Sequence, residues 1–227
     1  MPFDFDAIAA GLLGGQSKTV RNLVRQALAL GCDPEEILKK GLLKGMEAVT
    51  ESYKTEKVFV PEVLLAVQAM NAGLDVLERA GYGQCVKTRG SIVIGTVEGD
   101  MHDIGKNLVA MMLRSHGFEV YDLGVDVSAR RFIEKAEEVN ADIICISAML
   151  TTTLTNMKMV IDRLKRSKSR DKYVIMVGGA PVSQNFARKI GSDYYTDDAA
   201  AAVETAIKIM DEKNKMIDSL KASPDKK

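Results

Sequence analysis

Hydrophobic residues in the first third of the chain recur at intervals of three and four, the spacing of one face of an α-helix. One apolar stripe ends before Gly31, and another starts near Pro61. Between them, Asp33 is a typical helix N-cap, and Pro34 follows it at the first helical position. With a short opening helix over 4–13, the pattern predicts four amphipathic helices joined by short loops. Such a pattern is typical of an antiparallel helical bundle.

Beyond residue 85, short apolar runs alternate with helical stretches. The runs that predict strands cover residues 92–97, 120–123, 143–147, 173–177 and 193–195. The helical stretches cover residues 105–116, 129–139, 154–165, 183–190 and 199–220. Strands that alternate with helices form a parallel sheet covered on both faces. The sequence therefore predicts the α/β class: an N-terminal four-helix bundle cap, followed by a flavodoxin-like (Rossmann-like) doubly wound sheet of five parallel strands.

The change of pattern also predicts where the domains begin and end. We expect a helical cap domain over 1–84, a linker over 85–89, an α/β domain over 90–222 and a disordered polar tail over 223–227. The apolar runs are much shorter than the roughly 20 residues of a membrane-spanning helix. We therefore expect no membrane span.

Charge and cysteine content narrow the function classes further. The chain has 31 basic and 31 acidic residues, and this balance argues against nucleic acid or an anionic membrane surface as a partner. Its three cysteines are Cys32, Cys85 and Cys145, an odd number at wide spacing. They indicate neither a disulfide framework nor a zinc ribbon and favour a reducing cytoplasm. The N-terminal residues 1–6 carry no Lys or Arg, which argues against a secretory signal.

Candidate chemistry follows three of the predicted strands. Asp100 and His102 follow the first strand, a serine and threonine cluster (Ser147, Thr151–Thr153) follows the third, and a pair of glycines follows the fourth. In an open α/β sheet, ligands bind outside the carboxyl ends of the strands, so these groups should form one site.

Several chemistries compete for this site. The dinucleotide and P-loop phosphate motifs are missing, and the third strand ends in Ser147 rather than in the acidic acceptor of a phospho-receiver domain. A metal-hydrolase site would need more histidines than His102 and His116. Nucleophilic catalysis by Ser147 with His102 as base is conceivable, but no glycine-flanked nucleophile elbow surrounds the serine.

At Asp100-x-His102-x-x-Gly105, the sequence resembles the D-x-H-x-x-G motif of cobalamin-binding proteins. The resemblance continues at the S-x-L position, Ser147–Met149, where methionine replaces the family's leucine, and at the Gly178-Gly179 pair. Residues 59–64 resemble the start of the cap helix of methyl-carrying corrinoid proteins. The chain is most similar to corrinoid proteins of three-component methyltransferase systems of the methylamine, methanol and methoxyaromatic type. The cobalamin-binding region of methionine synthase is a more distant relative.

This resemblance implies a role for each motif residue. His102 would be the lower axial ligand of cobalt, Asp100 would hold its other ring nitrogen, and Ser147 would extend a proton relay. The resemblance also implies residues that bind the rest of the cofactor, above all its nucleotide tail: Gly105, Met149, Thr151, Thr153, Gly178, Gly179, Asp198 and Ala199. Residues of the helical cap that would cover the upper face are Phe59, Leu65, Ala69 and Met70.

By the same resemblance, the cofactor is cobalamin, as methylcobalamin or a related corrinoid. The protein would accept a methyl group on Co(I) from a substrate-specific methyltransferase. It would then pass the group from methyl-Co(III) to a second methyltransferase that serves tetrahydrofolate or coenzyme M, with a reductive activation protein as a further partner. The chain would not be catalytic alone. Alternatives are the cobalamin-binding subunit of a carbon-skeleton mutase, or a cobalamin storage or sensor protein.

Overall fold

The computed structural model of the chain describes residues 3–82 and 88–221. These residues form two compact units. One consists of the described residues up to Thr88 together with Arg114–Gly117, and the other of residues 89–113 and the described residues from Phe118 onward. Most of the predicted linker, residues 85–87, and the whole tail over 223–227 lie outside the described residues. The domain boundaries therefore stay a prediction.

The helical unit contains the predicted helices. Its elements are α1 (Phe5–Leu13), α2 (Ser17–Ala29), α3 (Pro34–Glu36), α4 (Lys44–Lys54) and α5 (Val60–Leu77). A π-helical stretch, Ile37–Leu43, joins α3 to α4 without a break. The five elements are thus four continuous helical segments, as predicted.

Local chemistry explains where these helices begin and how closely they pack. The Asp33 carboxylate accepts a hydrogen bond of 3.0 Å from the Glu35 N–H, so Asp33 is the predicted N-cap. Gly45 of α4 lies against α1, because a Cβ at this position would be 2.5 Å from the Leu12 side chain. A small residue therefore allows α1 and α4 to approach closely.

Helix α5 is the longest of the helices described in the helical unit. With the turn that follows it, over Val60–Tyr82, it is long and apolar enough to span a bilayer by length and composition alone. About half of its most apolar stretch is buried within the protein, however. Gly73 on this helix leaves no room for a Cβ, which would lie 2.7 Å from Leu42 and 3.2 Å from Val20. These contacts are those of a core helix.

The second unit is a five-stranded parallel sheet with helices between the strands. Its strands are β1 (Ser91–Thr96), β2 (Glu119–Asp122), β3 (Ile143–Ser147), β4 (Val174–Gly178) and β5 (Tyr194–Tyr195). Its helices are α6 (Ile104–Ser115), α7 (Ala129–Glu138), α8 (Leu154–Arg166), α9 (Gln184–Ile190) and α10 (Ala199–Lys221). The strand order β2-β1-β3-β4-β5 is that of the flavodoxin-like doubly wound fold, which confirms the predicted class.

The strand order reverses between β1 and β3, and this switch fixes where a ligand can enter. Thr96 pairs with Ser147, and Ser147 pairs with Gly178, so three strands end in one row. Lys106 ties the first turn of α6 to this end of the sheet: its buried ammonium group lies 2.6 Å from the Asp122 carboxylate at the end of β2. The loops after β1, β3 and β4 therefore converge, as the sequence predicts.

Candidate functional site

A buried carboxylate lies at the centre of the site. Asp100, in the loop after β1, is fully buried. Its Oδ2 accepts hydrogen bonds from the Met149 N–H at 2.7 Å, the Leu150 N–H at 3.2 Å and the Thr153 hydroxyl at 2.8 Å. The site thus joins the loop after β1 to the loop after β3, across the switch in strand order.

The other carboxylate oxygen holds the histidine. Oδ1 of Asp100 lies 2.8 Å from Nδ1 of His102 and accepts the His102 backbone N–H at 3.2 Å. An ionised carboxylate can only accept, so Nδ1 carries the proton and the lone pair of the ring lies on Nε2. The His102 side chain is 54% exposed, so a ligand can reach it.

The hydrogen bonds keep Asp100 ionised. Burial alone would raise the pKa of its carboxyl group. The bonds from the Met149 N–H, from the ring and backbone of His102 and from the Thr153 hydroxyl outweigh burial and bring this pKa well below its usual range. Asp100 therefore stays a fixed acceptor for the His102 ring at any physiological pH.

His102 can offer one metal ligand and no more. Among the residues that the structure describes, no three His, Cys, Asp or Glu side chains come together as a metal site. His116 belongs to the helical unit, where it is 1% exposed and its Nε2 lies 3.1 Å from the Thr50 hydroxyl. A metal at His102 must therefore bring its other ligands with it, as the cobalt of a corrinoid does.

Apolar side chains surround His102 in sequence and in space. Met101 and Ile104 on its own loop are 69% and 84% exposed, and Met149 and Leu150 on the facing loop are 47% and 40% exposed. Large exposed apolar groups around one polar atom indicate a ligand surface. The apolar face of a corrin ring around its central metal fits these exposed side chains, and the residues present thus fit a corrinoid.

The glycines predicted to accommodate the nucleotide tail differ in their surroundings. A Cβ at Gly105 would meet nothing within 4 Å, so the entrance of α6 is open. A Cβ at Gly179 would lie 1.9 Å from the Ala148 carbonyl oxygen, and one at Gly178 would lie 3.0 Å from that of Thr196. Gly178 and Gly179 are therefore required by the close approach of the chain itself. Their part in holding a nucleotide stays a prediction.

The hydroxyl that meets Asp100 differs from the expected one. The resemblance implied that Ser147, at the end of β3, extends the relay, but the structure places the hydroxyl of Thr153 on Asp100, six residues later. Thr153 is buried, whereas Thr151 is exposed. The short helical turn over Thr151–Thr153 brings Thr153 back towards the carboxylate.

The residues predicted after β5 have structural roles. The Asp198 carboxylate accepts the Ala201 N–H at 2.7 Å, as a cap of α10 does, and Ala199 is buried at the first position of that helix. Their contact with a cofactor stays a prediction.

The predicted cap residues divide into two pairs. Phe59, the residue before α5, and Leu65 on α5 are 62% and 49% exposed, as a ligand-facing surface requires. Ala69 and Met70 are buried, with exposures of 0% and 1%. Their prediction as residues of the cap surface is corrected accordingly: they lie on the buried part of α5.

Three further residues that hold the histidine loop were not predicted from the sequence. The Thr96 hydroxyl donates to the His102 carbonyl at 2.9 Å, the Asp126 carboxylate accepts the Gly99 N–H at 2.7 Å, and the Asn156 amide donates to the Glu98 carbonyl at 2.6 Å. The role of Asp126 could have been inferred from its position, because Asp126 follows β2 at the sheet edge where His102 lies.

Comparison with known proteins agrees with this geometry. Residues 90–204 match a family model described as a B12 binding domain, and residues 5–78 match a second model with the same description. The two models cover most of the sheet unit and the helical unit respectively.

Relatives with high identity span nearly the whole chain. The chain is 47% identical over 204 residues to the dimethylamine corrinoid protein of Methanosarcina barkeri, which covers 89% of this chain and 95% of the relative. It is 45% identical over 183 residues to trimethylamine corrinoid protein 1 of Methanosarcina acetivorans, covering 80% of this chain and 85% of the relative.

Solved structures agree with both the fold and the cofactor. The methanol:cobalamin methyltransferase complex MtaBC from Methanosarcina barkeri matches with a TM-score of 0.82 and 31% identity, over 92% of this chain and 81% of the matched one. A cobalamin-binding protein from Desulfitobacterium hafniense matches with a TM-score of 0.77 and 31% identity, over 92% and 99%. The chain belongs to the B12-binding proteins, as a cobalamin-binding corrinoid protein of methyltransferase systems.

Proposed function

We propose that this methyl-carrier corrinoid protein takes its methyl group from a methylated amine, delivered by an amine-specific methyltransferase. The observation that supports this donor is the 47% identity to a dimethylamine corrinoid protein over 89% of the chain. Trimethylamine corrinoid proteins match at 43% and 45% identity, a difference too small to select the number of methyl groups on the amine. The proposal therefore names the class of donor.

The bound corrinoid supplies a cobalt ion that takes up and releases the methyl group. His102 would ligate the cobalt through Nε2, because Asp100 already holds Nδ1. Asp100 and Thr153 would keep the ring oriented and would set how readily a proton reaches the Asp100–His102 pair. Met101, Ile104, Met149 and Leu150 would exclude water from the lower face.

The helical unit would protect the other face. Phe59 and Leu65 offer exposed apolar surface on α5 for this purpose. Gly105, at the open entrance of α6, would leave room for the nucleotide tail. We further propose that the protein works in the cytoplasm and that a second methyltransferase passes the methyl group to tetrahydrofolate or coenzyme M. We also propose a reductive activation protein, which would restore cobalt that has become oxidised.

The test is a methyl-transfer assay with alternative partners. The protein is reconstituted with hydroxocobalamin, reduced chemically, and mixed with a dimethylamine-specific, a trimethylamine-specific or a methanol-specific methyltransferase and the matching substrate. We expect the visible spectrum to show methylation of the corrinoid with at least one amine and its matching methyltransferase. Much less methylation is expected with methanol. Turnover with methanol and with neither amine would contradict the proposed donor.

A second candidate donor, methanol, is supported by the likeness to the methanol:cobalamin methyltransferase complex. Identity to that structure is 31%, well below the identity to the amine relatives. The assay above distinguishes the two donors directly.

A further inference from the structure

The loop that carries His102 is held by two side chains, each of which forms a hydrogen bond with the backbone of the loop. Thr96, the last residue of β1, is fully buried, and its hydroxyl donates to the carbonyl of His102 at 2.9 Å. This bond closes the loop over 96–102 upon itself. A buried hydroxyl needs such a partner, and the His102 carbonyl would lose a donor without it.

Asp126 holds the middle of the same loop from the neighbouring strand end. Its carboxylate accepts the Gly99 N–H at 2.7 Å, while its own N–H donates to the carbonyl of Asp100 at 3.0 Å. Both Gly99 and Asp126 have positive φ, 80° and 54°, so each adopts a left-handed conformation to make this reciprocal pair. A residue that is strained in this way persists where the surrounding bonds fix it.

We propose that Thr96 and Asp126 are positioning residues for His102. They hold the loop in the one shape in which Asp100 reaches both His102 and the loop after β3. Both side chains form their hydrogen bonds with backbone atoms of the loop, so their effect passes through the backbone of residues 99–102. This inference rests on the proposed role of His102 as the lower ligand of cobalt.

Two pairs of variants separate the hydrogen bonds from side-chain size and backbone strain. Thr96→Val removes the hydroxyl, and Thr96→Ser keeps it. Asp126→Gly removes the carboxylate while tolerating the positive φ, and Asp126→Asn keeps an acceptor oxygen. Asn140→Gly is the matched control, because Asn140 also has a positive φ, 49°, but precedes β3 at the opposite end of the sheet.

The first readout is the ratio of histidine-on to histidine-off cobalt in the Co(II) form of the reconstituted protein, measured by electron paramagnetic resonance, with His102→Ala as the histidine-off reference. We expect Thr96→Val and Asp126→Gly to lower this ratio about threefold to tenfold, because residues that orient a metal ligand typically change metal binding by about that much or more. Thr96→Ser, Asp126→Asn and Asn140→Gly should stay close to the unmodified protein.

The second readout needs no cofactor. In the corrinoid-free protein, amide hydrogen exchange at Gly99 and Asp100 should accelerate in Thr96→Val and Asp126→Gly and stay unchanged in Asn140→Gly. A native ratio and native exchange in Thr96→Val and Asp126→Gly would overturn the proposal, as would an equal loss in the conservative or control variants. If His102→Ala itself left the spectrum unchanged, the ligand role of His102 would fail, and the exchange data would show separately whether the two ties hold the loop.

Discussion

Asp100 has both carboxylate oxygens engaged, one by His102 and the other by the loop after β3. A buried carboxylate with so many donors stays ionised, and it therefore fixes which nitrogen of the histidine is protonated. Among the described residues, the Thr153 hydroxyl is the one side-chain group besides the His102 ring that forms a hydrogen bond with Asp100. At the scale of single residues, the chemistry of the site depends on this set of hydrogen bonds.

Replacing Thr153 by Val should weaken the site and the fold together. The substitution removes a hydrogen bond to a buried charge, which typically contributes about 1.5–3 kcal/mol. We expect a loss of about that size in the free energy of unfolding of the corrinoid-free protein, and a weaker affinity for hydroxocobalamin. Thr153→Ser should restore most of both. Thr152→Val, at an exposed neighbouring position, is the control, and an equal effect there would contradict the assignment.

Cys145 should be inert towards alkylation in the folded protein. It is buried in β3, and burial raises the pKa of its thiol to about 12. Below that pH the group is almost entirely the protonated thiol, which is a poor nucleophile. At pH 8.5, iodoacetamide should modify Cys145 only after denaturant is added, as judged by peptide mass spectrometry. Rapid labelling of native protein at Cys145 would show that β3 is accessible.

At the scale of elements, the strand ends carry the site, and their positions follow from periodicity. Predicted and observed strands agree to within about one residue, and β3 agrees at both ends. The row formed by Thr96, Ser147 and Gly178 follows from parallel pairing, so the convergence of the three loops was predictable.

The details within these loops could not be predicted. Ser147 and Thr153 offer the same hydroxyl, and only the helical turn after Leu150 decides which one meets Asp100. The ties from Thr96 and Asp126 depend on backbone conformations with positive φ, which leave no periodic signal in the sequence. The predicted exposure of Ala69 and Met70 was wrong for a related reason. A helix that is apolar on most sides does not reveal which positions remain exposed.

Two glycines should respond in opposite ways to replacement by alanine. Gly179→Ala would place a Cβ 1.9 Å from the Ala148 carbonyl at a φ of 124°, and we expect a loss of at least about 2 kcal/mol in the free energy of unfolding. Gly105→Ala meets open space near the start of α6, where alanine favours the helix by up to about 1 kcal/mol.

The Gly105→Ala substitution should also change the affinity for the corrinoid. Because Gly105 is proposed to leave room for the nucleotide tail, Gly105→Ala should lower the affinity for hydroxocobalamin although the corrinoid-free protein is at least as stable as before. Calorimetric titration and thermal unfolding of the same samples measure both quantities. Unchanged affinity would remove Gly105 from the proposed tail site.

At the scale of the whole molecule, both units match B12-binding families, and each offers surface for a different task. The sheet unit offers one metal ligand within an apolar surround, and the helical unit offers exposed apolar residues on α5. Such surfaces fit a protein that binds a cofactor, and the matches to corrinoid proteins agree with a methyl carrier of methyltransferase systems.

The most direct test of the account asks whether the lower ligand of cobalt is the protein's own histidine. The protein is prepared with ¹⁵N-histidine, reconstituted with unlabelled hydroxocobalamin, reduced to the Co(II) form and examined by electron paramagnetic resonance. Ligation by His102 predicts that the three-line nitrogen splitting of the unlabelled sample becomes a two-line splitting, and that His102→Ala abolishes it. A three-line splitting that persists in the labelled sample would show that the cofactor's own base is the ligand, and would contradict the account.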